Sequence, residues 1–525
     1  MSTSHATQAP VRDTDRQVVF NEIGQSVRLA IKKMLPVLMV GCLLGVGHLF
    51  MSGNPGALAF ALIGPSSLAA LALWASSGKG LPVFALFAAQ NLVLYGLPIV
   101  VGNEGLAAYT ADQLFQAGWE VAAFNLALIG GWTAGMRLLR PGSSLCYALL
   151  GLDTASNRLT TLGVTLIGAS TAYTLATAAG AMNMVFAALP VGSAPILHAT
   201  TSAMSASGFF LTGMMVGRGR ATSIQRTTFW ISLALQCFVT AGGFLLSASV
   251  IVVSASVVGL FWGSGRVPWR LLLTFFLTFA FLNVGKFVMR EKYWSTSDYD
   301  ASTTTTLVDM PRTYLEWIGV SFALLTGAEV APEKVGDFGG FSDEKDELEG
   351  QSLLHRVNNL SSLLYVVDVM EGRNIAPLGG STYSLIPPLL VPRLLWPDKP
   401  RAHEGQVLLN VHFGRQDLHS TFRTYVAWGL LPEAYGNFGP LKGAVLVGLV
   451  LGLIAAWIEL ATLRKLVLSL EGFLAFTTFL LLANSYEMVA SVFVTALFQS
   501  LVPIIGATWP FVARINPKRL SAANP

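Results

Sequence analysis

Residues 443–457, GAVLVGLVLGLIAAW, decide the class of fold, because these consecutive positions carry no charged side chain. Residues 271–288, LLLTFFLTFAFLNVGKFV, form a second run of this kind with a single lysine. Charged residues make up 12% of the 525-residue chain and hydrophobic residues 53%, whereas an average soluble domain carries roughly 25% charged residues. The composition therefore indicates that lipid, rather than water, surrounds most of the chain.

Twelve apolar runs are predicted to be transmembrane helices, each close to the roughly 20 residues that a helix needs to cross the hydrocarbon layer. Their bounds are 34–50, 56–75, 81–101, 119–136, 161–182, 185–213, 227–246, 248–262, 268–288, 442–461, 470–485 and 487–508. Before the first run, Phe20, Ile23 and Val27 share one helical face, so this stretch is expected to lie along the cytoplasmic interface. The predicted fold class is an all-α integral membrane protein of about twelve transmembrane helices.

Lysine and arginine fall in alternate loops, which puts them on one side of the membrane if all twelve runs cross it. They are Arg28, Lys32, Lys33, Lys79, Arg137, Arg140, Arg158, Arg218, Arg220, Arg226, Arg266, Arg270, Arg464, Lys465, Arg514, Lys518 and Arg519. The positive-inside rule then predicts that both termini are cytoplasmic. The expected location is the inner (cytoplasmic) membrane of a bacterium. The net charge of +4 does not indicate nucleic-acid binding, because the basic residues flank spans and form no basic face.

These spans divide the chain into five parts. Residues 1–33 form a cytoplasmic segment with the interfacial helix, and 34–288 form a transmembrane bundle of about nine spans. Residues 289–441 form a large external loop, which is periplasmic in a Gram-negative bacterium. About three further spans, 442–508, and a cytoplasmic tail, 509–525, complete the chain. A functional site is expected in the external loop, because that is where polar residues collect.

The external loop contains several predicted elements. Residues 314–325 are predicted to form a short helix resting on the membrane, and 355–372 an amphipathic helix. The apolar stretch 384–396 is too short to span and is interrupted by three prolines, so it is expected to dip into the outer leaflet. The acidic run 337–350, DFGGFSDEKDELEG, lacks the regular ligand alternation of a calcium loop and indicates a solvated loop.

Cations follow this re-entrant stretch closely. They are Arg393, Lys399, Arg401, Arg415 and Arg423, accompanied by His403, His412, His419, Asp417, Glu404 and Glu433. The planar guanidinium of arginine can bind phosphate oxygens in a bidentate manner, which suits a diphosphate at headgroup depth. The alternative is that these are ordinary interfacial cations beside anionic lipid.

The three cysteines, Cys42, Cys146 and Cys237, lie in or beside apolar runs, and the external loop has none. The sequence contains no CxxC motif and no Cys/His spacing typical of a metal site. We therefore expect no structural zinc, no disulfide framework and no cofactor.

Three stretches of the external loop resemble the bacterial Wzy-type O-antigen and exopolysaccharide polymerases. They are RVNNLSSLLYVVDVM (356–370), LGGSTYSLIPPLLVPRLLWPDKP (378–400) and GLLPEAYGNFGPLKG (429–443). The most specific parts are PRLLWPDKP and, just before a span, EAYGNFG. The resemblance implies a metal-independent glycosyltransferase of GT-C-like architecture. Its substrates would be undecaprenyl-diphosphate-linked oligosaccharide repeats, joined at the outer face of the inner membrane. Its surroundings would be membrane lipid, a flippase and a chain-length regulator.

The reaction requires stabilisation of the departing diphosphate and a base for the attacking hydroxyl. Arg393, Lys399, Arg401 and Arg423 are assigned to the diphosphate, with Arg415 and Arg356 as further candidates. The general base is expected to be His419 or Glu433, with Asp417 and His403 in reserve. Trp396, Tyr435 and Asn437 are candidates for sugar binding. EAYGNFG has an alternative role, which is to pack the external loop onto the following span.

Three other functions stay open. An O-antigen ligase would use similar lipid-linked donors and external Arg and His residues. A flippase or other transporter would suit twelve spans, but transporters usually place ionisable residues or broken helices at the membrane midplane. A non-catalytic assembly scaffold is the third alternative.

Overall fold

A computed structural model describes residues 19–149, 157–189, 193–244, 246–264, 266–293, 306–328, 357–391, 395–396, 398–422, 426–467, 469–484, 487–509 and 512–515. These residues are predominantly α-helical, which confirms the helical character of the predicted fold. The acidic run 337–350 lies outside the described residues. So do three predicted diphosphate ligands, Arg356, Arg393 and Arg423.

The first part of the chain forms twelve of the described helices. They are α1 (Phe20–Met51), α2 (Ala57–Ser77), α3 (Val83–Asn91), α4 (Leu97–Val100), α5 (Ala111–Leu138), α6 (Asn157–Ala178), α7 (Met182–Ala188), α8 (Ser193–Gly217), α9 (Ser223–Ala241), α10 (Leu246–Ser264), α11 (Trp269–Tyr293) and α12 (Met310–Leu325). A π-helical turn, Leu92–Gly96, joins α3 to α4, and a 3-10 turn, Glu104–Leu106, precedes α5.

The second part begins with five short helices of the external loop. They are α13 (Leu360–Gly372), α14 (Ser381–Ser384), α15 (Ile386–Leu390), α16 (Glu404–His412) and α17 (Leu430–Phe438), with a 3-10 turn at Ser420–Phe422. Three longer helices follow, α18 (Lys442–Thr462), α19 (Leu470–Asn484) and α20 (Ala490–Thr508). We call the described residues from 357 to 440 the cap.

Five helices among the described residues are long and apolar enough to cross a membrane, or six if one bent pair counts as one span. They are Phe20–Met51, Ala57–Ser77, Val83–Val100, Trp269–Lys286 and Lys442–Thr462. The other predicted spans coincide with helices, but they do not meet both conditions of length and hydropathy within the described residues. The structure therefore supports a polytopic membrane protein.

Two predicted boundaries differ from the helices of the structure. The runs 161–182 and 185–213 are separated by α7, because Gly180 takes a left-handed conformation (φ +75°) that ends the preceding helix. The α6–α7 pair bends by 91°, and none of the seven residues of α7 is buried. The interfacial helix predicted before the first span is the start of α1, which runs unbroken for 32 residues. Ile23 and Val27 pack against the protein core.

One β-ribbon departs from the all-α prediction. Strand β1 (Cys146–Leu149) pairs antiparallel with β2 (Val512–Ile515), with Cys146 opposite Ile515. The paired residues are more than 350 positions apart in the chain. A local sequence pattern therefore does not predict this pairing. The ribbon joins the loop after α5 to the segment after α20.

Loops with the predicted cytoplasmic charges meet at the end of the bundle that carries this ribbon, which we call the ribbon end. The N–H of Phe20 donates to the Lys465 carbonyl at 3.2 Å, and that of Gly142 to the Leu460 carbonyl at 2.9 Å. The opposite end, the cap end, joins the cap to the loops before α5 and α20. The described loops near Phe20, Gly142 and Lys465 therefore lie together at the ribbon end.

Small residues let the long helices approach closely. A Cβ on Gly131 of α5 would lie 2.2 Å from the Leu449 carbonyl oxygen of α18, and one on Gly452 would lie 2.3 Å from the Leu128 oxygen. Such close approach of two backbones is typical of helix pairs in membranes. In lipid the hydrophobic effect does not drive helices together, so van der Waals packing and hydrogen bonds hold them. The α5–α18 pair forms the central contact of the bundle and supports the cap.

Helix α12 leaves one apolar face uncovered. It packs antiparallel to the second half of α11, where Trp317 Nε1 donates to the Leu282 carbonyl at 2.8 Å. On its other side Leu315 and Phe322 are 71% and 63% exposed. The predicted membrane-resting helix at 314–325 is therefore helical and amphipathic, and its free face is suited to lipid contact.

Candidate functional site at the cap end

Helix α17, which contains most of EAYGNFG, is enclosed on nearly all sides. It runs between Gly429 and Gly439, whose positive φ angles (+87° and +78°) turn the chain sharply at both ends. The Glu433 carboxylate is fully buried. It accepts hydrogen bonds from Thr382 Oγ1 at 2.7 Å and from the N–H of Ala490 at 2.6 Å. Burial raises the pKa of Glu433 to about 7.

The other two polar residues of this element are also engaged inside the protein. Asn437 Nδ2 donates to Thr382 Oγ1 at 2.9 Å and to the Glu433 carbonyl at 2.8 Å. The Tyr435 hydroxyl accepts from Gln116 Nε2 at 3.0 Å, and the side chains of Tyr435 and Asn437 are buried. Sugar binding would require accessible groups, so this geometry favours the packing role for Tyr435 and Asn437.

Glu433 therefore joins three elements that are distant in sequence. Thr382 belongs to α14, and Ala490 is the first residue of α20, so the carboxylate lies where the N–H groups of that helix have no helical partner. As a general base, Glu433 would have to exchange protons from an enclosed position. The geometry suits a positioning role, while its assignment as the base stays a prediction.

The described cations of PRLLWPDKP and its neighbourhood lie between α15 and α16. Lys399 Nζ donates to the Leu389 carbonyl at 2.7 Å and to that of Val391, which closes the end of α15. Arg401 Nε donates to Glu404 Oε2 at 2.9 Å. Helices α14 and α15 both pack against α20, so this cationic turn lies beside a predicted span.

Arg415 is separated from those two cations by the length of α16. Nine residues of α-helix extend over roughly 13 Å, and Arg415 lies beyond its last turn. Its guanidinium lies over the rings of Tyr365 and Trp428, 5.2 and 5.7 Å from their centroids. It also donates to Ser362 Oγ at 3.2 Å and to the Ala427 carbonyl at 3.4 Å. The structure thus uses Arg415 to hold α13 against the chain before α17.

The histidines differ in their accessibility. His419 is exposed and follows Asp417, whose carboxylate accepts from the backbone N–H and the hydroxyl of Ser420. These hydrogen bonds hold the pKa of Asp417 below its usual value. His403 lies 2.7 Å from Gln406 Oε1, and burial lowers the pKa of its imidazole. Of the predicted bases, His419 is accessible and Glu433 is not.

Trp396 lies on the same turn as Lys399, and the residue is 43% exposed. An exposed indole beside a cation could contact a sugar ring or a lipid chain. The other predicted diphosphate ligands, Arg393, Arg423 and Arg356, lie outside the described residues. Among the residues described, no three His, Cys, Asp or Glu side chains lie close enough together to hold a metal ion.

Sequence reasoning missed a polar group beside the cap. Tyr95, in the π-helical turn, is fully buried where that turn meets the cap, and the N–H of Asn359 donates to the neighbouring Leu94 carbonyl at 3.1 Å. The predicted third span, 81–101, has Tyr95 in its interior, and a tyrosine within an apolar run is the signal that could have found this group.

Comparisons with known proteins leave the family open: no family model, no curated protein and no solved structure matches this chain.

Proposed function

We propose that this protein is an integral-membrane glycosyltransferase that polymerises lipid-diphosphate-linked oligosaccharide repeats at its cap end. One observation carries the proposal. The element EAYGNFG holds the chain that leads into PRLLWPDKP, through Glu433, Asn437 and Thr382. The two elements that resemble Wzy-type polymerases are therefore joined in one folded unit, although roughly forty residues separate them, a distance over which sequence alone predicts no contact.

In this proposal twelve helical segments cross the inner membrane. Basic loops gather at the ribbon end, which supports a cytoplasmic location for that end by the positive-inside rule. The cap is then periplasmic. Its broken helices α14 and α15 lie against α20, a position where irregular backbone is tolerated because protein covers it. The cationic turn after α15 consequently lies at the level of lipid headgroups.

The diphosphate of the donor is bound by Arg393, Arg401 and Arg423, with Arg415 and Arg356 as further candidates. Guanidinium groups stabilise the charge that builds up on the leaving diphosphate. Lys399 contributes less directly, because two carbonyls of α15 already accept from its ammonium. Trp396 lies on the same turn as Lys399, is partly exposed, and is suited to contact the first sugar or the isoprenoid. No metal ion is required for this charge stabilisation.

The test replaces Arg393 in a strain whose own copy of the gene is deleted. With Arg393→Ala, protein levels stay normal, long polymer disappears and single repeats accumulate on a glycan gel. Arg393→Lys keeps the charge but loses bidentate geometry, so it should restore only part of the polymer length. Arg137→Ala, at the ribbon end, is the matched control and should leave the ladder unchanged.

Two outcomes would count against the proposal. Full polymer length in a variant with both Arg393→Lys and Arg423→Lys would exclude bidentate recognition of the diphosphate. Unattached lipid-linked polymer in the deletion strain would indicate a ligase, which transfers finished chains.

A further inference from the structure

A groove of about 330 Å³ runs along the first half of α9. The loop before α9 lies at the ribbon end, because Tyr147 and Val512 of the β-ribbon pack against the apolar cluster that contains Ala221. With the predicted span 227–246 in the membrane, the groove begins at the membrane boundary and extends toward the hydrocarbon layer. It is lined by four hydroxyl-bearing residues and two isoleucines, Ser223, Thr227, Thr228, Ser232, Ile224 and Ile231.

The four hydroxyl groups of the groove have no hydrogen-bond partner among the described residues. Hydroxyls on other helices of the bundle donate to the carbonyl four positions earlier, as Thr174 does to Ser170 and Ser256 to Val252, both at 2.9 Å. Such hydrogen bonds satisfy a hydroxyl group without water or a ligand. The hydroxyls of the groove are therefore free to bind a group from outside the helix.

Ser232 shows that the groove reaches below the surface of the protein. Ser223 and Thr227 are exposed, Thr228 is half-buried, and Ser232 is 7% exposed. Its hydroxyl lines the groove and stays unpaired within the described part of the chain. A polar group this well buried normally has a partner, because leaving it without one is unfavourable. A bound molecule in the groove would supply the missing acceptor.

The groove ends where α6 and α8 pack against α9. There Gln236 Oε1 accepts from Ser205 Oγ at 2.6 Å, and Gln236 Nε2 donates to Ser170 Oγ at 3.0 Å and to Thr171 Oγ1 at 2.9 Å. This amide lies about one turn beyond Ser232 and has its partners inside the protein. Polar side chains of α9 are thus paired where other helices cover them and unpaired along the groove.

The chemistry of the groove selects an anionic amphiphile. Hydroxyl groups can donate to phosphate and ester oxygens, which only accept. Ile224 and Ile231 are 79% and 54% exposed, so an acyl chain that packs against them removes apolar surface from contact with water. Arg220 and Arg226 lie three residues before and after Ser223. Basic residues at this side of a membrane attract anionic headgroups, whereas a free phosphate ion would leave both isoleucines uncovered.

We propose that this groove binds one anionic phospholipid of the cytoplasmic leaflet. Its phosphate accepts from Ser223 and Thr227, and its ester carbonyl oxygens accept from Thr228 and Ser232. The acyl chains lie along the two isoleucines. The row of hydroxyls extends over roughly 13 Å of helix, from the membrane boundary inward. Because the site lies at the ribbon end, it is independent of the polymerase function proposed for the cap end.

The first experiment measures lipid binding by the full chain purified in detergent. Native mass spectrometry with added phosphatidylglycerol should show one lipid bound more tightly than those that follow. A triple variant, Thr227→Val, Thr228→Val and Ser232→Ala, removes three hydroxyls and nearly preserves the shape of the groove. The first lipid should bind to it at least about tenfold more weakly.

The matched control is Thr478→Val on α19. It makes the same exchange of a hydroxyl for a methyl group in a helix, but the Thr478 hydroxyl already donates to the Leu474 carbonyl at 2.8 Å. This variant should bind the first lipid as the wild type does.

Thermal unfolding in detergent separates loss of the site from loss of the fold. Without lipid, the triple variant should melt at the temperature of the control. Phosphatidylglycerol should raise the melting temperature of the wild type and the control, and that of the triple variant much less. Phosphatidylcholine, which has no net charge, and inorganic phosphate, which has no acyl chain, are tested in parallel. Each should stabilise the wild type less than phosphatidylglycerol does.

Three results would overturn the site. One is equal affinity of the wild type and the triple variant for the first lipid. Another is equal binding of phosphatidylcholine, since the contact would then be the ordinary lipid layer around a membrane protein. The third is equal stabilisation by inorganic phosphate, which would indicate an anion site without a lipid.

A single variant decides the question if the triple variant melts below the control. Ser232→Ala removes one hydroxyl that has no partner among the described residues, so it should leave the fold intact. It should weaken binding of the first phosphatidylglycerol about fivefold, by the loss of one hydrogen bond. Unchanged affinity in this variant would overturn the role of the buried hydroxyl and the site with it.

Discussion

Two glutamates, Glu459 at the ribbon end and Glu433 at the cap end, are fully buried, so each carboxylate needs hydrogen-bond donors inside the protein. The donors differ between the two ends. Glu459 Oε1 accepts from Trp74 Nε1 at 3.1 Å and from the N–H of Phe84 at 2.9 Å, and its Oε2 accepts from Trp132 Nε1 at 3.0 Å. Glu433 accepts from a hydroxyl and one backbone N–H. Both carboxylates lie at the N-terminus of a helix that is distant in sequence, where the helix dipole favours negative charge.

A third carboxylate follows the same pattern. Glu120 of α5 is buried and accepts from the N–H of Leu441, just before α18, at 2.9 and 3.1 Å. The protein thus fastens helix starts with acids from other helices, at both ends of the bundle. The surroundings are what differ: three N–H donors surround Glu459, whereas Glu433 accepts from one hydroxyl and one backbone N–H.

The largest effect on stability is expected at Glu459, at the ribbon end. Glu459→Ala leaves two indole N–H groups and one backbone N–H buried without an acceptor, which should lower the free energy of unfolding by about 3–5 kcal/mol. Thermal unfolding in detergent, followed by tryptophan fluorescence, measures this loss. The control is Glu104→Ala, which removes an exposed acid. A melting temperature within the range of that control would show that Glu459 is not a structural acceptor.

A smaller, pH-dependent effect is expected at Glu433. Its pKa of about 7 lies above the usual 4.5, so the folded protein keeps a proton that the unfolded chain releases. Stability should therefore fall as pH rises from about 4.5 to about 7, by on the order of 2–3 kcal/mol. Glu433→Gln cannot titrate and should flatten this part of the profile. Unfolding measured from pH 5 to 8 tests it, with Glu104→Gln as control; equal slopes in all three proteins would refute the assignment.

The smallest effect is expected at Gly429. Alanine there must adopt a backbone conformation nearly restricted to glycine and must displace the Asn359 amide, which should cost about 1–2 kcal/mol. Gly53→Ala is the matched control, because that residue also has a positive φ (+66°) but no atom within 4 Å of an added Cβ. If both variants melt alike, the Asn359 amide does not depend on the space at Gly429.

Much of the fold follows from local pattern. Apolar runs predict the helices because a helix in lipid satisfies its own backbone, and α13 buries Leu360, Leu363 and Leu364 as its periodicity predicts. The break at α7 and the ribbon of β1 with β2 were missed. The first depends on one glycine conformation, and the second on contacts between opposite parts of the chain.

The candidate site was less predictable. The region was anticipated, since polar residues collect in the external loop. Individual roles were not: Tyr435 and Asn437 are engaged in packing, and Arg415 lies on two aromatic rings. Charge and residue type indicate what a side chain can do, but only its neighbours determine whether it is free to do it.

The sequence by itself determined that this chain is predominantly helical, with runs apolar enough to cross a membrane, and where most of its longer helices lie. These properties arise from hydrophobicity and charge within short windows. Tertiary structure alone decided that Glu433 holds the start of α20 and that Glu459 accepts from Trp74, Phe84 and Trp132. Such pairings depend on hydrogen-bond geometry between segments that lie 57 to 385 residues apart, and no local pattern encodes them.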